Sequence, residues 1–190
     1  MFHSWYQGAL ANNESLYPWM DEGFTTYASN ITKAFLAGNT NDPQQGSYAA
    51  YYYLVKKDKQ EPLTTHADHY ITNLGYGIAA YSMGSMVPAM MEYIVGEKTF
   101  AKAFKAYFNT WKLKHPNPND FRRVIEKETG MQLDWLMNEW IGTTHHVDYA
   151  IDSIGAKGDS TLVRLSNRGT MPMPTEVYVT YKDGSSEIFY

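Results

Sequence analysis

Two residues near the amino terminus are of the kinds that hold zinc. His3 and Glu22 are separated by 18 residues. Zinc accepts neutral imidazole and carboxylate ligands, favours four-coordination, and keeps one position open when it is catalytic. Eighteen residues suffice for one helix to end, for the chain to turn, and for a second helix to bring a carboxylate back to the imidazole. Glu22 stands in the segment Trp19-Met20-Asp21-Glu22-Gly23-Phe24. Asp21 is its neighbour, and Thr25, Thr26 and Ser29 follow within two helical turns; any of them could orient a ligand from behind. Taken singly, none of these residues is informative. A lone histidine is usually a surface or core residue, and a helical glutamate is usually solvated. Their joint spacing, taken with further landmarks along the chain, is what points to a metal.

The elements that must position these residues are mostly helices. Residues 1 to about 8 read as the end of a helix, and Asn12, Asn13 and Ser15 mark a loop. Pro18 suits a first helical turn, so a helix is expected over about 18–37, stopped by Gly38 and Asn39. A Tyr-rich helix follows over about 47–58. Helical periodicity returns over 74–95, where Ile78, Tyr81, Met86, Met90 and Tyr93 recur at helical steps. A helix over 97–113 places Phe100, Ala103, Phe104 and Tyr107 on one face. Pro116-Asn117-Pro118 breaks the chain, and shorter helices follow over about 119–128, capped by Asn119 or Asp120, and 132–140. After residue 144 apolar and polar residues alternate, and Asp183-Gly184 reads as a hairpin turn. Three or four strands of one antiparallel sheet are expected there.

The chain resembles the gluzincin aminopeptidases, the aminopeptidase N family. The motif is His-Glu-x-x-His followed, 18 residues on, by Glu; here Met1 and Phe2 would be the two x positions and His3 the second histidine. Further landmarks follow in order: Tyr81-Ser82-Met83-Gly84-Ser85-Met86-Val87, Gly96-Glu97-Lys98-Thr99-Phe100, Asp120-Phe121, Glu126 to Gly130, and Trp140-Ile141. The chain departs from many members in carrying Ser82-Met83 where they have Glu-Lys. The resemblance implies a mainly α fold, the helical C-terminal lobe of a thermolysin-like catalytic domain over 1–144, followed over 145–190 by the start of an antiparallel β-sandwich. It implies one Zn2+, held by His3 and Glu22, with Tyr81 as the catalytic hydroxyl and Asp21, Thr25 and Thr26 as candidates to support the ligands. Peptides with a free amino terminus would be the substrates. The first histidine and the general-base glutamate would precede residue 1, so the fragment by itself is expected to bind zinc weakly or not at all and to be inactive. Its cut faces could drive self-association.

Composition excludes several other classes. Net charge is −4 and no basic face is clustered, which argues against nucleic acid. There is no cysteine, hence no disulfide and no thiolate site. No apolar run is long enough to span a membrane. His66-Ala67-Asp68-His69 offers three donors in a loop without a distant partner. Gly75-Tyr76-Gly77-Ile78-Ala79-Ala80 imitates a dinucleotide fingerprint, but no strand precedes it. His145-His146 reads as a linker. The alternative to an enzyme is a non-catalytic helical module that binds a peptide or protein in the same cleft.

Overall fold

The computed structural model describes residues 2–190. The chain divides into two compact units, one up to Thr144 and one from His145 to Tyr190.

The first unit is helical. Helix α1 (residues 3–10) opens as a wide i→i+5 turn over His3–Gln7 and continues as an α-helix over Gly8–Leu10. It stops at Ala11, whose φ is 52°. Its last carbonyls are satisfied from far along the chain: the Leu113 amide donates to Ala9 O (2.6 Å), the His115 amide to Leu10 O (3.2 Å), and the His115 Nδ1 lies 2.8 Å from Ala11 O. The helix that carries His3 is therefore fixed at its far end. Helix α2 (residues 19–37) follows Pro18, and Gly38 closes it in the left-handed conformation expected of a C-terminal glycine (φ 61°). Helix α3 is Gln45–Lys56, and α4 (residues 73–95) starts at Thr72, whose hydroxyl accepts from the Gly75 amide at 3.0 Å. Helices α5 (Glu97–Trp111), α6 (Pro118–Thr129) and α7 (residues 134–141) complete the unit.

Aromatic rings form the centre of this unit. Phe24 of α2 packs on Phe121 of α6 at 4.6 Å between centroids, Tyr107 of α5 meets Phe121 edge-on at 5.0 Å, and Trp19 meets Phe24 edge-on at 5.7 Å. Phe100, Ala103 and Tyr107 are buried as the periodicity of α5 predicts. In α4 the recurring residues part company. Met86 is buried, together with Ala79, Ala80, Met83, Val87 and Met91, whereas Tyr81 and Tyr93 are substantially exposed. The reason is a second wide turn, Ile78–Met83, inside α4. One such turn inserts a residue into the helical repeat and shifts the phase of every position beyond it.

The cap of α6 also differs from expectation. Asn117, not Asn119 or Asp120, is the N-cap. Its side chain accepts from the amides of Asn119 (2.9 Å) and Asp120 (3.3 Å), and Asp120 Oδ2 accepts the Asn117 amide in return at 3.0 Å. Pro118 takes the first helical position, where its missing N–H costs nothing. The Pro-Asn-Pro break is thus also a helix start. Asn117→Ala is expected to lower stability by about 1 kcal/mol, read as a fall in the urea midpoint at unchanged slope.

The second unit contains β1 (Tyr149–Lys157), β2 (Ser160–Asn167), β3 (Val177–Thr180) and β4 (Ser186–Phe189). The expected single sheet is instead two antiparallel hairpins. β1 pairs with β2 from Tyr149↔Asn167 to Lys157↔Ser160, and β3 pairs with β4 from Val177↔Phe189 to Thr180↔Ser186. Pro172 and Pro174 lie in the connection between them. Proline has no N–H to give a ladder, so this connection does not carry pairing from one hairpin to the next. Gly184 turns the second hairpin at φ 85°, where the Asp-Gly pair places it. Among the described residues no helix is long and apolar enough to cross a membrane.

Candidate metal centre

The first turn of α1 and the first turn of α2 meet at their polar residues. His3 Nε2 lies 2.6 Å from Glu22 Oε2, and His3 Nδ1 lies 3.4 Å from Asp21 Oδ2. The ligand atoms of His3, Asp21 and Glu22 lie within 4.8 Å of one another, and among the described residues this is the one group of three such side chains so placed. The carboxylates are largely covered, whereas the His3 ring is 46% exposed. Burial pushes the Asp21 carboxyl up to about 6; His3 pulls it down, and Glu22 and Glu14 push it further up.

These residues fit a zinc ion. Tetrahedral ligands at zinc's usual bond lengths stand about 3.4 Å apart. His3 and Glu22 need to part by less than about 1 Å to admit the ion between them. Zinc-binding imidazoles commonly hand their other nitrogen to a carboxylate, which fixes the ring. Asp21 stands on that other nitrogen.

Glu22 also meets Tyr81, in the first half of α4. Its hydroxyl is hydrogen-bonded to the Glu22 carboxylate, and its phenol is pushed well up by burial, by that hydrogen bond, and by the Glu22 charge. It stays protonated and able to donate at neutral pH. Tyr76, one wide turn earlier, also feels Glu22 and Asp21: burial and then these two carboxylates raise its pKa. The Tyr76 ring rests edge-on against Tyr70 at 5.5 Å.

Two glycines bring Glu22 and Tyr81 together. A Cβ on Gly23 would lie 2.4 Å from the Gly84 carbonyl carbon, and a Cβ on Gly84 would lie 2.8 Å from Trp19 O and 3.0 Å from Gly23 Cα. Only a pair of residues without side chains permits this backbone crossing. Gly23 follows Glu22 directly and Gly84 comes three residues after Tyr81, so the crossing sets the separation of the two functional groups. His3, Glu22 and Tyr81 each sit in a wide turn: His3–Gln7, Trp19–Gly23 and Ile78–Met83. Such turns recur at functional sites because they re-aim a side chain without ending the helix.

The other candidates fall elsewhere. Thr25 is buried, with no hydrogen-bond partner for its hydroxyl among the described residues, and no hydrogen bond among them joins Thr25 or Thr26 to His3 or Glu22. His66 Nδ1 accepts from the Asp68 amide at 3.2 Å and caps a short 3-10 turn, Ala67–His69. Gly75 to Ala80 lies within α4. Spacing alone does not single out Gln7, which is 2% exposed and donates through its carboxamide to the carbonyls of Met20 and Asp21. A polar side chain among apolar neighbours, one turn beyond His3, is the trace it leaves in the sequence.

The chain as a whole is similar to known proteins. The chain is 22% identical over 160 residues to aminopeptidase M1-C of Oryza sativa subsp. japonica, covering 82% of this chain and 18% of that protein. It is 21% identical over 175 residues to the mitochondrial aminopeptidase 2 of Saccharomyces cerevisiae, covering 87% of this chain and 18% of that one. The chain thus spans less than a fifth of these relatives. Among solved structures, the M1 zinc metallopeptidase of Deinococcus radiodurans superposes with a TM-score of 0.59 at 19% identity, over 73% of this chain and 30% of that one. That likeness shows a common fold, a helical lobe leading into a β region. The model of the peptidase family M1 domain matches residues 1–140, and the chain belongs to this family, the gluzincin aminopeptidases of the aminopeptidase N type.

Proposed function

We propose that the chain supplies the second histidine ligand, the glutamate ligand and the catalytic tyrosine of a zinc aminopeptidase site. The observation that carries this reading is the Glu22 carboxylate, flanked by His3 Nε2 at 2.6 Å and by the Tyr81 hydroxyl. His3 and Glu22 would hold the ion, and Asp21 would orient the His3 ring. A bound Zn2+ supplies Lewis acidity, lowering the pKa of water to about 7 and drawing electron density from a carbonyl. The Tyr81 hydroxyl, whose one proton goes to Glu22 here, would turn that donor to the carbonyl oxygen as negative charge grows there. Glu22 holds that hydroxyl in place before substrate arrives. Substrates would be peptides with a free amino terminus: the relatives are named aminopeptidases, and a related Deinococcus radiodurans structure is described as bound to a Tyr-Ser-Ala substrate.

The family motif places a further histidine four residues before His3 and a general-base glutamate three before it, positions that the 190 residues do not include. We therefore hold that residues 1–190 alone do not turn over peptides, and that residues 145–190 contribute to a β-sandwich. The test is hydrolysis of an aminoacyl-anilide by the chain extended upstream through its native sequence, beside the 190-residue chain. Turnover is expected in the extended protein, lost on chelation and restored by zinc, and none in the shorter one. A folded, zinc-loaded extended protein that cleaves no anilide and no peptide would overturn the reading.

A further inference from the structure

A metal bound between His3 and Glu22 removes the contact that joins them here. Their 2.6 Å hydrogen bond is closer than two ligands of one zinc ion can stand. Some other interaction must hold α1 and α2 in register when the ion is present. The crossing of Gly23 with Gly84 ties α2 to α4 and does not involve α1, whose Tyr6 stacks instead on Phe104 and Phe108 of α5. The contact of Leu113 and His115 with α1 grips its other end.

We propose that Gln7 is a positioning residue that sets the His3–Glu22 separation, an inference that rests on the zinc reading above. Gln7 lies four residues after His3, at the close of the same wide turn, and its side chain reaches across to α2. Its carboxamide nitrogen donates to Met20 O and to Asp21 O, the latter at 3.1 Å. Those are the carbonyls of the two residues that precede Glu22. One planar group thereby uses both of its N–H bonds on the backbone that carries the ligand, and it does so at 2% exposure, away from competing water. Its carbonyl oxygen has no hydrogen-bond partner among the described residues. A buried carboxamide that leaves half its capacity unmet is a poor device for stability alone. Its donors are spent on the one backbone segment whose position decides whether an imidazole and a carboxylate can share an ion. The clamp is independent of the metal: it neither touches a ligand atom nor competes for one.

The test compares Gln7→Met, which keeps length and volume without donors, with Gln7→Asn, which keeps donors one methylene short, and with Asn117→Ala as a variant destabilised elsewhere. Two readouts are taken on the upstream-extended protein: zinc affinity by competition with a chromophoric chelator, and nuclear Overhauser contacts between the His3 ring and the Glu22 side chain without metal. Gln7→Met is expected to lose about 10- to 100-fold in zinc affinity, as removal of a partner behind the ligands commonly does. It is also expected to lose the His3–Glu22 contacts, while Asn117→Ala changes neither. If Gln7→Met does not fold, Gln7→Asn carries the test, with a smaller loss in both readouts. Wild-type affinity together with intact His3–Glu22 contacts in a folded Gln7 variant would overturn the clamp. A wild type that shows the contacts, loses them in the variant and binds no zinc would sustain the clamp and sink the zinc reading.

Discussion

Gly84→Ala is expected to destabilise the helical unit by about 3 kcal/mol, at the upper end of what overpacking costs. The added methyl group meets backbone, not a flexible side chain: Trp19 O at 2.8 Å, Gly23 Cα at 3.0 Å and Trp19 Cα at 3.1 Å. Backbone atoms of two packed helices cannot swing aside, so α2 and α4 must separate. Gly23→Ala is expected to cost as much or more, since its Cβ would stand 2.4 Å from the Gly84 carbonyl carbon. For a chain of this size the loss corresponds to a fall of about 6–12 °C in melting temperature. Gly46→Ala is the control. Gly46 lies in α3, and a Cβ there would meet nothing within 4 Å, so alanine is expected to be neutral or to stabilise by up to about 1 kcal/mol. Equal melting temperatures for Gly84→Ala and Gly46→Ala would show that the crossing is looser than described. The crossing matters beyond stability, because separating α2 from α4 carries Glu22 away from Tyr81.

Tyr81→Phe is expected to lower kcat/KM for aminoacyl-anilide hydrolysis by the upstream-extended protein by about 10²- to 10³-fold, with little change in stability or zinc content. The phenol is 40% exposed and makes its hydrogen bond to Glu22, so removing the oxygen leaves no void in the core. The loss should fall mainly on kcat. A donor aimed at a carbonyl oxygen matters most when that oxygen carries charge, so it stabilises the transition state more than the bound substrate. A rise in KM with unchanged kcat would make Tyr81 a binding residue instead. Unchanged kinetics would remove it from the site.

Much of this is legible in residue types and spacing, and the remainder is not for identifiable reasons. The helix boundaries around Gly38 and Gly96 follow from local stereochemistry, and there sequence and structure agree closely. The 18-residue interval between His3 and Glu22 allows a helix, a turn and a returning helix, and the two side chains do meet. Gly23 and Gly84 are visible as letters of two motifs, but the cause of their presence is a contact between residues 61 positions apart. The wide turns are invisible, since a period of 3.6 is assumed wherever a helix is read; this is why periodicity misplaces the buried stripe of α4 around Tyr81. The strands of the second unit show in the alternation of residues, but alternation does not say which strand pairs with which. Pro172 and Pro174 are the available clue that the ladder divides.

The most direct measurement is the zinc content and affinity of the upstream-extended protein alongside its His3→Ala and Glu22→Ala variants. One bound zinc is expected in the wild type. Each variant should lose affinity by more than the roughly 10- to 100-fold that a partner behind the ligands is worth. Both variants binding one zinc as tightly as the wild type would contradict the account, because the ion would then be held by other residues.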